Sequence, residues 1–267
     1  MLNRAPKILI TLLSLVWLNS LALWTTAETP QQKGLRIATE ADQQDSGWKS
    51  ASASLLMVLI NPNGQQKTRE MRMRYLEGEQ AGDKSLSIFD SPKDVQGTSF
   101  LSFSHALESD EQWLYLPALK RVKRIASANK SGPFMGSEFA FEDLSSNDIE
   151  KYTYEYLRDE TIDNHDCYVV RNFPQYAHSG YSHRDVWIDK QHYRVIRIDY
   201  ADRKGQLLKT LNQSGHQQYL DKYWRADKFL MINHQTGKST ELHWRAYQFD
   251  LGLTDADFNR NTLMRAR

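Results

Sequence analysis

The chain carries eight histidines, one cysteine and 33 acidic residues, the side chains from which metal, thiol and acid–base chemistry are built. The histidines are His105, His165, His178, His183, His192, His216, His234 and His243. No two of them sit at i, i+4 spacing with a glutamate between, the arrangement that puts two imidazoles and a general base on one helical face. His178 and His183 flank Tyr181 in a turn-like region and read as surface residues rather than metal ligands. Gly237-Lys238-Ser239 ends like a phosphate-binding loop, but the position that such a loop needs as glycine is Ile232. No G-x-S-x-G occurs, and Cys167 lies in the apolar run Asp166-Cys167-Tyr168-Val169-Val170, where a thiol is buried and inert. The carboxylates are scattered through turns and form no recognisable pair. No catalytic residue, no metal ligand and no cofactor is therefore assigned, and the chain reads as a binder rather than an enzyme.

What the sequence does offer is apolar side chains in an unusual place. Residues 113–125 read as two short strand-like runs joined in a tight hairpin at Pro117-Ala118. A polar, glycine-bearing loop follows, and it presents Phe134, Met135, Phe139 and Phe141 before acidic Glu142-Asp143. Apolar groups in such a loop are costly to leave wet, so they should cover something apolar, whether a core or a ligand.

The surrounding segments carry a resemblance. GDKSLSIFDSPKDVQGTSFL at 82–101, DEQWLYLPALKRVKRI at 110–125, NKSGPFMGSEFAFEDL at 129–144, the run from Ser179-Gly180-Tyr181 to Val186-Trp187-Ile188-Asp189, and Asn233 with Thr236-Gly237-Lys238 resemble the outer-membrane lipoprotein-sorting protein family. The resemblance covers nearly all of the chain from about Gly34 onward. It implies a LolA/LolB-like fold, an unclosed half-barrel lined with apolar side chains and capped by helices. It also implies work beside an RND-type inner-membrane exporter and transient contact with a membrane.

The elements that would build such a fold can be read in order. Residues 1–27 have a basic start, an apolar stretch and Thr25-Thr26-Ala27 before Glu28, the pattern of a cleaved signal peptide that directs the remaining 28–267 to the periplasm as one domain. Of 34 basic and 33 acidic residues, the leader holds Arg4 and Lys7 and no acid, which leaves 32 against 33. So neutral a chain has no nucleic-acid footprint. Residues 28–47 are compatible with a first helix. Residues 54–60 are apolar on both faces and call for cover on both, whereas 67–77 alternate, with Arg69, Met71, Met73 and Tyr75 on one face. From 151 to 249 seven strand-like runs are divided by turns, with a short helix expected at 142–147 and another after Thr254. Strand–helix alternation is missing, so the fold class is mainly β with a few helices, a curved antiparallel sheet rather than a parallel one.

A large sheet with one apolar face and few helices has to bury that face against something. The candidate liners of a concave cavity are Met57, Met71, Met73, Trp113, Phe134, Met135, Phe139, Trp187 and Trp244. The expected ligand is a lipid or the acyl group of a lipoprotein, held by a monomer. The alternative is an accessory or sensor protein that docks on an exporter or regulator through the basic hairpin Lys120, Arg121, Lys123 and Arg124.

Overall fold

The computed structural model describes residues 27–78, 82–106 and 108–265, so the leader expected at 1–27 lies outside the described residues apart from Ala27. Helix α1 (Pro30–Asp45) starts where the sequence provides a capping box. The Thr29 hydroxyl accepts from the Gln32 N–H at 3.2 Å, and the Gln32 side chain accepts from the Thr29 N–H at 2.9 Å. Six strands then form a meander, β1 (Ser50–Ile60), β2 (Gln66–Leu76), β3 (Lys84–Ser91), β4 (Ser99–Phe103), β5 (Glu111–Leu116) and β6 (Arg121–Arg124). Seven more follow after a long connection, β7 (Tyr152–Ile162), β8 (His165–Pro174), β9 (Tyr181–Asp189), β10 (Val195–Asp202), β11 (Leu207–Tyr219), β12 (Tyr223–Asn233) and β13 (Ser239–Phe249). A short α2 (Arg260–Arg265) ends the described chain.

The two meanders fuse where β13 pairs antiparallel with β1, giving one sheet of 13 strands in the order β6-β5-β4-β3-β2-β1-β13-β12-β11-β10-β9-β8-β7. The sheet is not closed, because β6 and β7 are its two opposite edges. That topology has a direct consequence for residues 125–151. They leave one edge and must arrive at the other, and they do so across the concave face, touching β2, β3, β4, β9, β11, β12 and β13 on the way. Helix α1 packs on the other part of this face, against β7 and β8.

Side-chain alternation sorts the core into layers. The concave face holds Leu55, Met57, Met71, Met73, Phe89, Phe100, Val186, Ile188, Leu211 and Leu242. Two smaller clusters lie on the opposite face, one beneath α2 with Leu86, Leu101 and Trp113, the other with Cys167, Val169, Trp187 and Ile196. Cys167 is thus the buried thiol its sequence context indicates. No helix of the described residues is long and apolar enough to cross a membrane.

Several expectations need correction. The hairpin at 113–125 turns through a full 3-10 turn at Pro117–Leu119, with Lys120 at φ 48°, rather than a two-residue link. The helix expected at 142–147 is a single 3-10 turn at Phe141–Leu144. On the outer parity of β1, Val58 is buried while Leu56 and Ile60 are half-buried, with Thr68, Glu70, Glu241 and His243 on the flanking strands as the register partners of Leu56 and Val58, so that face is covered less fully than the inner one.

Candidate functional site

The crossover at 125–151 is held down by aromatic packing at one end and by buried charge at the other. Phe134 is 1% exposed, and its ring centroid lies 5.9 Å from Phe89, 5.2 Å from Phe100 and 5.5 Å from Phe141. Each such pair is worth about 0.5–1.5 kcal/mol beyond the area it buries. Further along, Lys209 Nζ on β11 donates to Asp143 Oδ2 at 2.7 Å and to the Glu138 carbonyl at 2.9 Å. Tyr181 Oη donates to Asp143 Oδ1 at 2.9 Å, and burial raises the tyrosine's own pKa well above the usual phenol value. Asn233 Nδ2 donates to Glu138 Oε2 at 2.6 Å. Among the described residues Glu142 has no salt-bridge partner, accepting instead from Tyr176 Oη at 3.0 Å, Ser179 Oγ at 2.9 Å and the Gly180 N–H at 2.8 Å. Burial, with Asp143 alongside, raises its carboxyl above the usual range against the pull of those donors. Gly180 is needed for that approach, since a Cβ there would sit 2.9 Å from Glu142 Oε1 and from Ser131 Cβ.

Between this cover, α1 and the concave sheet lie two adjoining cavities. The smaller, of about 240 Å³, is apolar and bounded by Leu55, Met57, Met71, Met73, Phe134, Phe139 and Leu242. The larger, of about 1680 Å³, runs under α1 and is chemically mixed, with Ala38, Tyr154, Val186 and Ile198 beside Asp42, Arg184, Arg194 and Arg225. Tyr75, Asp83, Ser146, Phe229 and Trp244 border both. Ligand clefts commonly run from about 300 to 1,000 Å³, so the pair together suits a sizeable molecule with one greasy and one polar part.

Six of the nine residues picked from sequence as liners, Met57, Met71, Met73, Phe134, Phe139 and Trp244, meet in the small chamber. Met135 packs on the same core, and its carbonyl accepts from Arg69 Nη1. Trp113 and Trp187 face the other way. In β5 Trp113 precedes Leu114, which takes the concave side, and it lies under Arg260 of α2. Trp187 sits between inward Val186 and Ile188 and packs with Cys167, flanked by Arg158 and Arg197. Size and aromaticity picked these two, whereas strand parity decides the face. Of the basic hairpin, Lys120, Arg121, Lys123 and Arg124 are all exposed, and Arg124 pairs with Glu111 at 3.1 Å.

Sequence reading missed the polar residues of the concave face, Arg184, Lys209, Asp83 and the buried Lys151, which lies 3.0 Å from both Asp110 and Asp148. A charge on the apolar parity of a strand was the available signal, as in Arg184-x-Val186-x-Ile188 and Lys209-x-Leu211.

Asp83 gives this region a measurable pH response. Burial pushes its carboxyl up from 3.8 to about 6, aided by the fields of Asp148 and Glu77 and opposed by the Gly78 N–H at 3.0 Å. The folded chain therefore holds this proton more tightly than the unfolded chain, and the group's contribution is greatest below pH 3.8 and declines as pH rises through about 6. Asp83→Asn should flatten that part of the stability–pH curve and raise stability on the order of 1–2 kcal/mol at pH 8, with little change at pH 4. Urea titration of both proteins at the two pH values decides it, and equal gains at both would rule out a deprotonation cost.

Three solved structures share this fold. A domain named for outer-membrane lipoprotein sorting from Vibrio parahaemolyticus is 54% identical with a TM-score of 0.87, matching 88% of this chain and 100% of that one. A DUF1329 family protein from Desulfovibrio piger is 29% identical with a TM-score of 0.83, matching 88% and 99%. A LolA superfamily protein from Nitrosomonas europaea, at 18% identity and a TM-score of 0.70 over 86% and 98%, shares the fold. Among curated proteins none matches significantly. A family model described only as an uncharacterized protein matches residues 81–265. The half-barrel, its crossing cover and a relative matched end to end at 54% identity agree, and the chain belongs to the outer-membrane lipoprotein-sorting protein family with a LolA-like fold.

Proposed function

We propose that this protein is a periplasmic carrier that takes a lipid, or the acyl group of a lipoprotein, into its concave cavity and delivers it to the outer membrane. Residues 1–27 act as the signal peptide and 28–267 as one binding domain, which works as a monomer beside an RND-type exporter. The observation that carries the reading is the pair of adjoining cavities, one apolar and one mixed, beneath a cover that crosses the open sheet. Burying acyl methylenes contributes about 0.8 kcal/mol each, so the apolar side alone can hold a chain with no covalent step. The name of the Vibrio relative supports the cargo class.

Native mass spectrometry of the chain purified gently from periplasm, followed by organic extraction, tests it. A discrete added mass that extracts as lipid is the expected result. A bare chain that also fails to take up fatty-acid and phospholipid probes would sink the carrier reading.

A second reading rests on the edge strand β6. Lys120, Arg121 and Lys123 are exposed and have no carboxylate partner among the described residues, next to Leu119 at 62% exposure. In this reading they dock the protein on an envelope partner. Reversing Arg121 and Lys123 to glutamate should then abolish capture of that partner with lipid uptake unchanged. Loss of lipid uptake without loss of partner binding would reject docking.

A further inference from the structure

Arg184 is a buried cation whose guanidinium the described residues satisfy only in part. The neighbouring arginines of β8 and β10 and of the turn before β10 each have a carboxylate: Arg171 with Asp185 at 2.7 Å, Arg197 with Asp199 at 2.8 Å, Arg194 with Asp189 at 2.6 Å. Arg184 has none within salt-bridge distance among the described residues, although it is 7% exposed and borders the large cavity. Its Nη1 donates to Asn147 Oδ1 at 3.1 Å, and its guanidinium lies 4.1 Å from the Tyr152 ring centroid. Its Nε is buried and donates to nothing. Asp143, whose field reaches it, is already bound by Lys209.

A guanidinium stripped of water and left without an anion is expensive, and such groups in native folds need an explanation. The same cavity holds two more unanswered polar atoms. Asn172, directly opposite Arg184 in the β8–β9 register, has a buried Oδ1 with no donor, and Trp244 Nε1, at the border with the apolar chamber, has no acceptor. The cavities thus offer a donor at the apolar border and, away from it, a cation opposite an acceptor, the complements of the ester carbonyl, anionic phosphate and head-group hydroxyl of a glycerophospholipid. Among the described residues none of the cavity's carboxylates, Asp42 and Glu150 among them, forms a salt bridge with Arg184.

We propose that Arg184 binds the phosphate of an anionic phospholipid, with Asn172 accepting from a hydroxyl of its head group and an acyl chain in the apolar chamber. This rests on the carrier reading and goes further by naming the head. An Arg184–phosphate contact is charge-assisted, and its planar donors fit a phosphate in a way an ammonium does not.

The test compares dihexanoyl phosphatidylglycerol with dihexanoylglycerol, which has the same chains and no phosphate, by calorimetry with monomeric lipid. The expected result is tighter binding of the phospholipid by the wild type. R184Q should lose about tenfold to a hundredfold in affinity for the phospholipid and none for dihexanoylglycerol. R184K keeps the charge but lacks the Nε donor, so it should fall between and carries the test if R184Q does not fold. Equal binding of the two lipids by the wild type, or an unchanged preference in R184Q, would overturn the head-group assignment and leave the carrier reading intact. Failure of both lipids to bind would remove both. Inorganic phosphate bound as tightly as the lipid by the wild type, and lost in R184Q, would make the occupant a free anion and overturn the lipid assignment.

Discussion

Replacing Lys209 with methionine should destabilise the fold by about 3–5 kcal/mol, a large share of the 5–15 kcal/mol that holds a typical domain together. The ammonium and the Asp143 carboxylate are each 4% exposed and 2.7 Å apart. Methionine fills much of the same volume between Tyr181 and Tyr200, so packing changes little. What changes is that Asp143 stays buried with only Tyr181 Oη and the Ala140 N–H to solvate it. Removing one partner of such a pair is costly, whereas removing both charges is nearly neutral. K209M/D143N should therefore recover most of the loss, because the asparagine oxygen still accepts from Ala140. Urea titration of the wild type, both single variants and the double closes the cycle. A K209M protein within about 0.5 kcal/mol of wild type would show that water reaches this pair. Limited proteolysis adds a local readout, since a loosened crossover should be cut within 126–138 before the sheet unfolds.

That pair also shows where sequence reading stops. The alternating runs and turn signals were enough to place the strands after residue 151, because period two and turn chemistry are local properties. The apolar liners Met57, Met71 and Met73 were legible for the same reason, each on the buried parity of its strand. The run read at 206–211 is shorter than the folded β11, whose second half Ser214–Tyr219 is polar and is held by pairing with β12 rather than by burial. Asp143 and Lys209 are separated by 66 positions, and nothing in either neighbourhood points to the other. The crossing of the cover depends on β6 and β7 being opposite edges, which is a property of the β1–β13 pairing and not of residues 125–151 themselves. Phe134 and Phe139 were correctly read as covering something apolar, while what they cover is both the core and the chamber wall.

Substituting Gly34 should distinguish the two covers, the crossover and α1. Within a helix, glycine to alanine normally adds about 1 kcal/mol of stability. Here geometry opposes propensity. A Cβ at Gly34 would lie 2.8 Å from the Tyr156 nitrogen and 2.9 Å from the nitrogen and carbonyl carbon of Glu155, all backbone atoms of β7. Backbone in a paired strand cannot step aside as a flexible side chain would, so the helix must move. Gly34→Ala should then cost about 1–3 kcal/mol in spite of its better propensity, and Gly34→Val more. The shift would strain the contacts that α1 makes through buried Ile37 and Ala38 and through Lys33 over the Tyr156 ring at 3.4 Å. It would also widen the larger cavity, of which Ala38, Ala41, Asp42 and Asp45 form part of the wall. The crossover is tied by its own chain to both sheet edges and by buried charge in the middle, whereas among the described residues α1 joins the sheet through its end before β1. On the proposed carrier function, displacing α1 is the easier way in, and G34A should speed release of a bound fluorescent fatty acid several-fold at temperatures where it remains folded. Faster release in K209M but not in G34A would instead make the crossover the gate.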